Sequence, residues 1–343
     1  MKTKHTLTIQ EAATLLRSGE VVAFPTETVY GLGADATRDT AIEKIYAAKG
    51  RPGDNPLIVH IGDVAQLDQV VSELPDRAKK LMDAFWPGAL TIILPRQEGV
   101  SDAVTAGLET VGVRMPSHPV ALELLRAVKL PIAAPSANVS GRPSPTTAQH
   151  VADDLDGKIA GILDGGAVEI GVESTVIDCT TDPPVIFRPG GVTKAEIEAV
   201  IGPVVMAQPV KNADFAPKSP GMKYTHYAPD APMAIIQGSD AFFQRVIDDA
   251  QRAGKRVGLL VTEEHRATYT ADVILTCGNG QEPLSIAQNL YAALRAFNEH
   301  DIDVIYSESF ADTGLGEAVM NRLLKASGHR VIREDLNQTE GDM

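Results

Sequence analysis

The chain has 343 residues, of which 44% are hydrophobic and 22% are charged, a composition typical of a globular protein long enough for two domains. Its net charge is −14, with 18 basic against 26 acidic residues over 1–205 and 13 against 19 over 206–343. Neither half offers the broad basic surface that non-specific nucleic-acid binding needs. Cys179 and Cys277 are the only cysteines, which excludes a disulfide framework and a Cys-built zinc site.

The N-terminus has no apolar signal-peptide core, and no apolar run approaches the roughly 20 residues of a membrane span. We therefore expect a cytoplasmic protein with no membrane partner.

The first two hundred residues alternate between strand-like and helix-like patterns, which predicts an α/β domain with a mixed sheet. Capping-box sequences at Thr8 and Thr40 open two helices, and the second helix is expected to end near Gly50. The remaining predicted helices cover 76–85, 119–128, 147–153 and 194–200. The predicted strands cover 21–24, 57–61, 90–94, 111–114, 132–134, 161–163, 175–178 and 185–187.

Residues 207–232 contain five prolines and several aromatic residues, which predicts an ordered linker that closes as a lid and is more than a flexible tether. Regular alternation follows, with strands at 233–236, 256–261, 273–275 and 304–306 and helices at 241–253, 285–298 and 317–327. This pattern predicts a smaller Rossmann-like parallel sheet without its phosphate-binding glycine motif. The predicted domains are 1–206, the linker 207–232, 233–333 and a tail at 334–343.

Two separate loop regions carry cations, small hydroxyls and an amide. Lys49 and Arg51 stand at the end of a predicted helix, and Ser136, Asn138 and Ser144 stand in a Gly/Pro-rich stretch far downstream. Such groups supply the charge-assisted and neutral hydrogen bonds that phosphate oxygens accept. The sequence has no P-loop motif, so a nucleotide would be held without one. Two structural interpretations stay open: the cations complement a helix dipole, and the Ser and Asn residues form turns.

Three further polar positions follow predicted strands. Residues 25–31 are dense in hydroxyls, and Gly31 and Gly33 indicate a close approach of backbones. His60 and Arg114 stand at strand ends. A histidine or arginine in such a position is also typical of a satisfied polar residue or a surface ion pair.

Together these stretches resemble the threonylcarbamoyl-AMP synthases in their two-domain form, with a YrdC-like catalytic domain followed by an added C-terminal domain. The resemblance rests on many motifs in one order, and it is strongest over about residues 8–230. The motifs are FPTETVYGLG at 24–33, KGRP at 49–52, NPLIVH at 55–60, WPGALT at 86–91, VRMP at 113–116, APSANVSG at 134–141, ESTVI at 173–177, RPGG at 188–191 and SPGMKYTHYAP at 219–229.

The resemblance implies a nucleotidyltransferase that condenses L-threonine, bicarbonate and ATP into threonylcarbamoyl-AMP and pyrophosphate, and that supplies the machinery modifying a tRNA adenosine. The implied catalytic residues are Lys49, Arg51, Ser136 and Asn138. The implied ATP-binding residues are Arg51, Asn55, Thr110, Ser136, Ser144, Arg188 and Tyr227. The implied threonine-binding residues are Thr28, His60, Arg114, Ala134 and Ser174. Mg²⁺ would arrive on the ATP phosphates, with no metal site built from protein side chains.

Two other classes of function stay open. One is an RNA-binding module, against which the acidic first domain argues, so no stable nucleic-acid binding is expected. The other is a carbamoyltransferase-like protein, which in related proteins carries Cys-rich zinc modules that two isolated cysteines cannot build.

Overall fold

A computed structural model describes residues 2–208, 217, 219 and 226–334. The chain divides into two compact units: Met1–Ser140 with Ser144–Tyr224, and Gly141–Pro143 with Thr225–Met343. Most of the predicted linker and all of the predicted tail after Glu334 lie outside the described residues. None of the helices within the described ranges is long and apolar enough to cross a membrane.

The first unit is built on a mixed sheet, as the sequence predicted, and this sheet has ten strands where eight were predicted. Its strands are β1 (Val22–Phe24), β2 (Gly31–Asp35), β3 (Ile58–His60), β4 (Leu90–Pro95), β5 (Thr110–Arg114), β6 (Ile132–Ala133), β7 (Gly161–Ile162), β8 (Thr175–Asp178), β9 (Val185–Arg188) and β10 (Val205–Met206). They are ordered β10-β9-β8-β4-β5-β3-β6-β2-β1-β7. The sheet therefore brings segments distant in sequence side by side near its middle.

The helices of this unit are α1 (Ile9–Arg17), α2 (Asp39–Lys49), α3 (Asp76–Phe85), α4 (Asp102–Thr105), α5 (Pro119–Val128), α6 (Ala148–Leu155) and α7 (Lys194–Ile201), with a 3₁₀ helix at Val64–Gln69. Thr8 forms the predicted capping box with Glu11. The second predicted box is wrong: Arg38 is the N-cap of α2 and no side chain caps it, so Thr40 lies inside the first turn. Gly50 ends α2 in the left-handed conformation, at φ 60°.

Strand β2 was not predicted from the sequence, because its residues, GLGAD, have little intrinsic strand preference. Pairing with β1 on one side and β6 on the other makes it a strand. A Cβ on Gly33 would stand 2.8 Å from the ring of Phe24 and 2.9 Å from Ile132. The atoms that approach this glycine belong to side chains, so the expected close approach of two backbones is not what Gly33 serves.

Hydrophobic residues cover both faces of the sheet. Successive residues of β1 belong to different hydrophobic clusters. Ala23 belongs to the cluster that contains Ile42 and Ile45 of α2, whereas Phe24 belongs to the cluster that contains residues of α1 and α5 such as Leu16. The sheet is thus a buried central layer, and the site residues lie on its loops and strand ends.

The second unit contains a five-stranded, all-parallel sheet, as predicted. Its strands are β11 (Met233–Gln237), β12 (Val257–Val261), β13 (Val273–Thr276), β14 (Val304–Glu308) and β15 (Val331–Arg333), in the order β13-β12-β14-β11-β15. Its helices are α8 (Asp240–Arg252), α9 (Pro283–Ala296) and α10 (Leu315–Ala326), with a 3₁₀ turn at Phe297–Glu299. The short edge strand β15 was not predicted.

Candidate active site

Lys49 ties the end of α2 to the loop after β6. Its Nζ donates to the carbonyl oxygen of Ser136 at 2.5 Å and to that of Asn138 at 2.7 Å, and its own carbonyl accepts from the Ser140 amide at 2.9 Å. Although it stands at a helix end, Lys49 is only 2% exposed. A buried cation is costly unless it is paired or bound to a ligand. The two loop regions predicted to hold phosphates therefore meet at one buried ammonium group.

Arg51 follows the helix end and lies over the segment that leads into β3. Its Nη2 donates to the carbonyl oxygens of Asn55 and Pro56 at 3.3 and 3.5 Å. The side chain of Asn55 is fully buried, and both its amide nitrogen and its amide oxygen lack a hydrogen-bond partner among the described residues. A buried amide without partners costs free energy, which points to a ligand that both donates and accepts there.

Glu173 and Ser174 join several of the predicted residues. Ser144 donates from Oγ to Glu173 at 2.6 Å in a buried contact. The Oγ of Ser174 lies 2.8 Å from the hydroxyl of Thr91 and accepts from Nη2 of Arg188 at 3.1 Å. Glu173 and Ser174 are adjacent in the chain. They therefore connect Ser174, a predicted threonine-binding residue, with Ser144 and Arg188, two predicted ATP-binding residues.

The predicted threonine residues cluster around a buried ion pair. Arg114 pairs through Nη2 with the carboxylate of Glu27, and these residues are 3% and 1% exposed. Arg114 also donates from Nη1 to the Thr28 hydroxyl at 2.8 Å and from Nε to the Gly88 carbonyl at 3.2 Å. The predicted alternative of a surface ion pair does not hold, because this arginine is enclosed.

His60 stands beside Arg114 in the register of β3 and β5. Burial, reinforced by the Arg114 charge, lowers the pKa of His60 from 6.5 to about 3. Its Nδ1 lies 3.3 Å from the Ile58 carbonyl, which can only accept, so Nδ1 carries the hydrogen and Nε2 is an acceptor. A neutral imidazole of this kind is a weak base and a suitable hydrogen-bond acceptor.

The strand register sets the distance between the two groups of residues. Ile58 lies opposite Gly112, so Thr110 at the start of β5 lies beside the segment of Asn55, whereas Arg114 ends the strand. Four residues of strand span about 13 Å. The register therefore places one end of β5, at Thr110, near Asn55 and the other end, at Arg114, beside His60.

The two remaining predicted residues differ in their surroundings. Ala134 is buried, its amide donates to the Ile58 carbonyl at 2.9 Å, and its Cβ lies 3.3 Å from the position of a Cβ on Gly31. It is therefore part of the same cluster. Tyr227 belongs to the second unit, where it is buried, stacks on Tyr291 with ring centroids 5.2 Å apart and has the Arg322 guanidinium over its ring.

Sequence reasoning missed Glu27, Thr91, Gly88 and Glu173 as parts of this site. Glu27 had a usable signal, since it is the one charged residue in a hydroxyl-rich segment that directly follows a strand. Thr91 looked like an ordinary strand residue, because its contact with Ser174 depends on the pairing of β4 with β8. Across the described ranges, no group of three or more His, Cys, Asp or Glu residues could hold a metal ion.

Two family models match consecutive parts of the chain. The model described as "Telomere recombination" matches residues 14–190, and that described as "Threonylcarbamoyl-AMP synthase, C-terminal domain" matches residues 192–328. Threonylcarbamoyl-AMP synthase from Bacillus subtilis is 59% identical over 95% of this chain and 94% of its own length. The enzyme of that name from Pyrococcus abyssi is 50% identical over 95% of each chain.

A solved structure agrees with these relatives. The crystal structure of Pyrococcus abyssi Sua5 complexed with L-threonine superposes with a TM-score of 0.91 at 46% identity, covering 98% of this chain and 100% of that one. The fold and site define a two-domain α/β protein with a YrdC-like first domain. The chain belongs to the threonylcarbamoyl-AMP synthase family, whose members are nucleotidyltransferase-type enzymes that act on threonine and ATP. An ATP-using family suggests a divalent metal.

Proposed function

We propose that this chain condenses L-threonine, bicarbonate and ATP into threonylcarbamoyl-AMP and pyrophosphate at the site residues of the first unit. The observation that carries this proposal is the pair Glu173 and Ser174. Ser144, predicted to bind ATP, donates to Glu173, and Arg188, also predicted to bind ATP, donates to Ser174, which is predicted to bind threonine. Two substrates bound to these groups would lie next to each other, as a condensation requires.

The ATP phosphates would be held by Lys49, Arg51, Ser136 and Asn138. A buried ammonium that already binds two carbonyls of one loop fixes that loop and contributes positive charge without losing further side-chain freedom. Asn55, Thr110, Ser144 and Arg188 would hold the rest of the nucleotide. The side-chain amide of Asn55, which has no hydrogen-bond partner in the part of the chain that the structure describes, supports this role. The assignment of Tyr227 to ATP remains a proposal.

Threonine would occupy the other end of β5, among Thr28, His60, Arg114, Ala134 and Ser174. The guanidinium of Arg114 suits the substrate carboxylate. His60 Nε2, as a hydrogen-bond acceptor, suits a hydroxyl or an amine. The His60 imidazole is too weak a base to deprotonate an ammonium group, so a general-base role for it is not proposed.

The reaction would proceed by positioning and by neutralising charge. The neutral amine of threonine and bicarbonate would give a carbamate with loss of water, and a carbamate oxygen would then displace pyrophosphate from the α-phosphorus in line. The cations Lys49 and Arg51 would stabilise the charge that develops on the phosphates. Mg²⁺ would be carried by those phosphates and by water, as is usual for this ion. The product would pass to a tRNA-modifying machinery in the cytoplasm, where ATP and tRNA are available.

Pyrophosphate release tests this function directly. Release should require ATP, threonine and bicarbonate together, and omission of any one should bring the rate close to background. Valine in place of threonine should give a strongly reduced rate, since a site built to bond a hydroxyl leaves buried polar groups unpaired without it. Equal rates with threonine omitted would contradict the proposal.

A further inference from the structure

The Glu27 carboxylate is a buried charge at this site to which the proposed reaction assigns no role. It is 1% exposed, and neither of its oxygens has a hydrogen-bond donor among the described residues, although Oε1 forms the ion pair with Arg114 Nη2. An ionised carboxylate offers about four acceptor positions. A buried carboxylate with so few contacts points to a ligand that carries hydrogen-bond donors.

A purely structural role explains this pair poorly. Burying two charges costs desolvation that their attraction often fails to recover, so well-packed hydrophobic residues would stabilise the fold at least as well. Arg114 is also held without Glu27, because Thr28 and Gly88 already accept from Nη1 and Nε. Those contacts leave donors on the guanidinium for an incoming carboxylate, since arginine has five N–H groups.

The charges at this point of the site sum to zero. Glu27 is negative, Arg114 is positive, and the neighbouring His60 imidazole is neutral. A neutral pair of opposite charges complements a zwitterion, in which an ammonium and a carboxylate are separated by one carbon. The same pair disfavours binding of a ligand that has a carboxylate and no ammonium group, because its carboxylate would approach Arg114 next to the negative charge of Glu27.

We propose that Glu27 and Arg114 together form the receptor for the zwitterionic head of the amino-acid substrate, with Glu27 binding the α-ammonium group and Arg114 the carboxylate. This inference rests on the proposed function and deepens it. Glu27 would make the site select amino acids over hydroxy acids of the same shape.

The test compares L-threonine with its α-hydroxy analogue, 2,3-dihydroxybutanoate of matching stereochemistry, by calorimetric titration. The unsubstituted protein should bind threonine about 100-fold more tightly, the size expected for a charge-assisted pair in a buried site. Glu27→Gln should weaken threonine binding by at least about tenfold and leave the hydroxy acid unchanged or tighter, so that the preference largely disappears.

A matched control is Asp35→Asn. Asp35 is also 1% exposed and ion-paired, with Arg38, but it has no place in the proposed site. This variant should keep the full preference. If Glu27→Gln binds both ligands more weakly by the same factor, or keeps the preference for threonine, the zwitterion receptor is contradicted.

Two further results separate the possible failures. If Glu27→Gln does not fold, Glu27→Asp, which keeps the charge on a shorter side chain, should fold and show a reduced preference; an undiminished preference would overturn the inference. Equal binding of both ligands by the unsubstituted protein would also overturn it. Failure of the unsubstituted protein to bind threonine would overturn the proposed function itself.

Discussion

At the scale of single residues, Lys49 shows how one buried cation can organise two loops. Its Nζ bonds to the carbonyls of Ser136 and Asn138, both in the loop that carries two of the proposed phosphate ligands. A change at this position therefore removes a charge and also loosens the loop, so its effect should exceed the loss of one phosphate contact.

We expect Lys49→Met to lower the rate of pyrophosphate release by at least about 10- to 100-fold, from the 1.5–3 kcal/mol of a charge-assisted hydrogen bond. Methionine keeps most of the volume, so the fold should persist. Lys44→Met is the control, because Lys44 lies on the same helix and pairs with Glu20 at the surface. Normal turnover in folded Lys49→Met would show that this lysine is only structural.

His60 should make the stability of the first unit depend on pH. Its pKa of about 3 in the folded chain lies below the ordinary 6.5, so between these values the unfolded state binds a proton that the folded state does not. The His60 contribution is fully present above pH 6.5 and is lost as the pH falls toward 3. Between pH 7 and pH 5 this single group should lower the free energy of unfolding by about 2 kcal/mol.

His60→Gln should remove that part of the pH dependence. The single tryptophan, Trp86, lies in the first unit, so its fluorescence during urea unfolding reports that unit alone. His300→Gln, an exposed position in the second unit, is the control. If wild-type and His60→Gln proteins lose stability equally between pH 7 and pH 5, His60 is not the neutral buried group described here.

At the scale of elements, the RPGG loop after β9 depends on the close packing of Gly190. A Cβ at this position would stand 2.3 Å from backbone atoms of Glu173, Ser174 and Thr175. The contact is with backbone, which cannot move aside as a flexible side chain does. Gly190 therefore lets the segment that bears Arg188 lie against the segment that bears Ser174.

Gly190→Ala should displace these two segments from each other. We expect weaker binding of both ATP and threonine, by about tenfold or more, together with a loss of stability of a few kcal/mol, as overpacking at a rigid contact causes. Gly166→Ala is a control for added volume, because no atom of the described residues lies within 4 Å of the added Cβ, although the φ of 83° at this glycine carries a strain of its own. Unchanged binding in Gly190→Ala would show that the packing does not shape the site.

The element scale also shows which features were open to prediction. The helices at 76–85 and 119–128 were predicted to the residue, because each has strong amphipathic periodicity with Pro at or just before its start. Strand β2 was missed, because tertiary pairing overrides a glycine-rich local sequence. The family resemblance supplied the site residues, whereas the Glu27–Arg114 pair could not be foreseen, since it depends on how a loop and β5 meet in space.

At the scale of the whole molecule, each unit has hydrophobic clusters of its own. The sheet of the first unit is covered on both faces by its own helices. The parallel sheet of the second unit has a separate cluster that includes Phe243, Leu259 and Tyr306. Such a division is typical of domains that can fold independently.

Residues 1–206 expressed alone should therefore fold, with a cooperative urea transition of Trp86 fluorescence close to that of the full chain. This fragment contains every proposed site residue except Tyr227, so it should still bind threonine. Full-length protein is the control for both measurements. A fragment without a cooperative transition would show that the first unit depends on the second for its stability.

The most direct measurement of the central claim follows carbon from bicarbonate into a nucleotide. The protein is incubated with ATP, Mg²⁺, L-threonine and ¹³C-bicarbonate, and the products are separated and analysed by mass spectrometry. The account predicts a threonylcarbamoyl-AMP species that carries one ¹³C, forms in step with pyrophosphate and is absent in Lys49→Met. Pyrophosphate release without an adduct that contains both threonine and the labelled carbon would contradict the account.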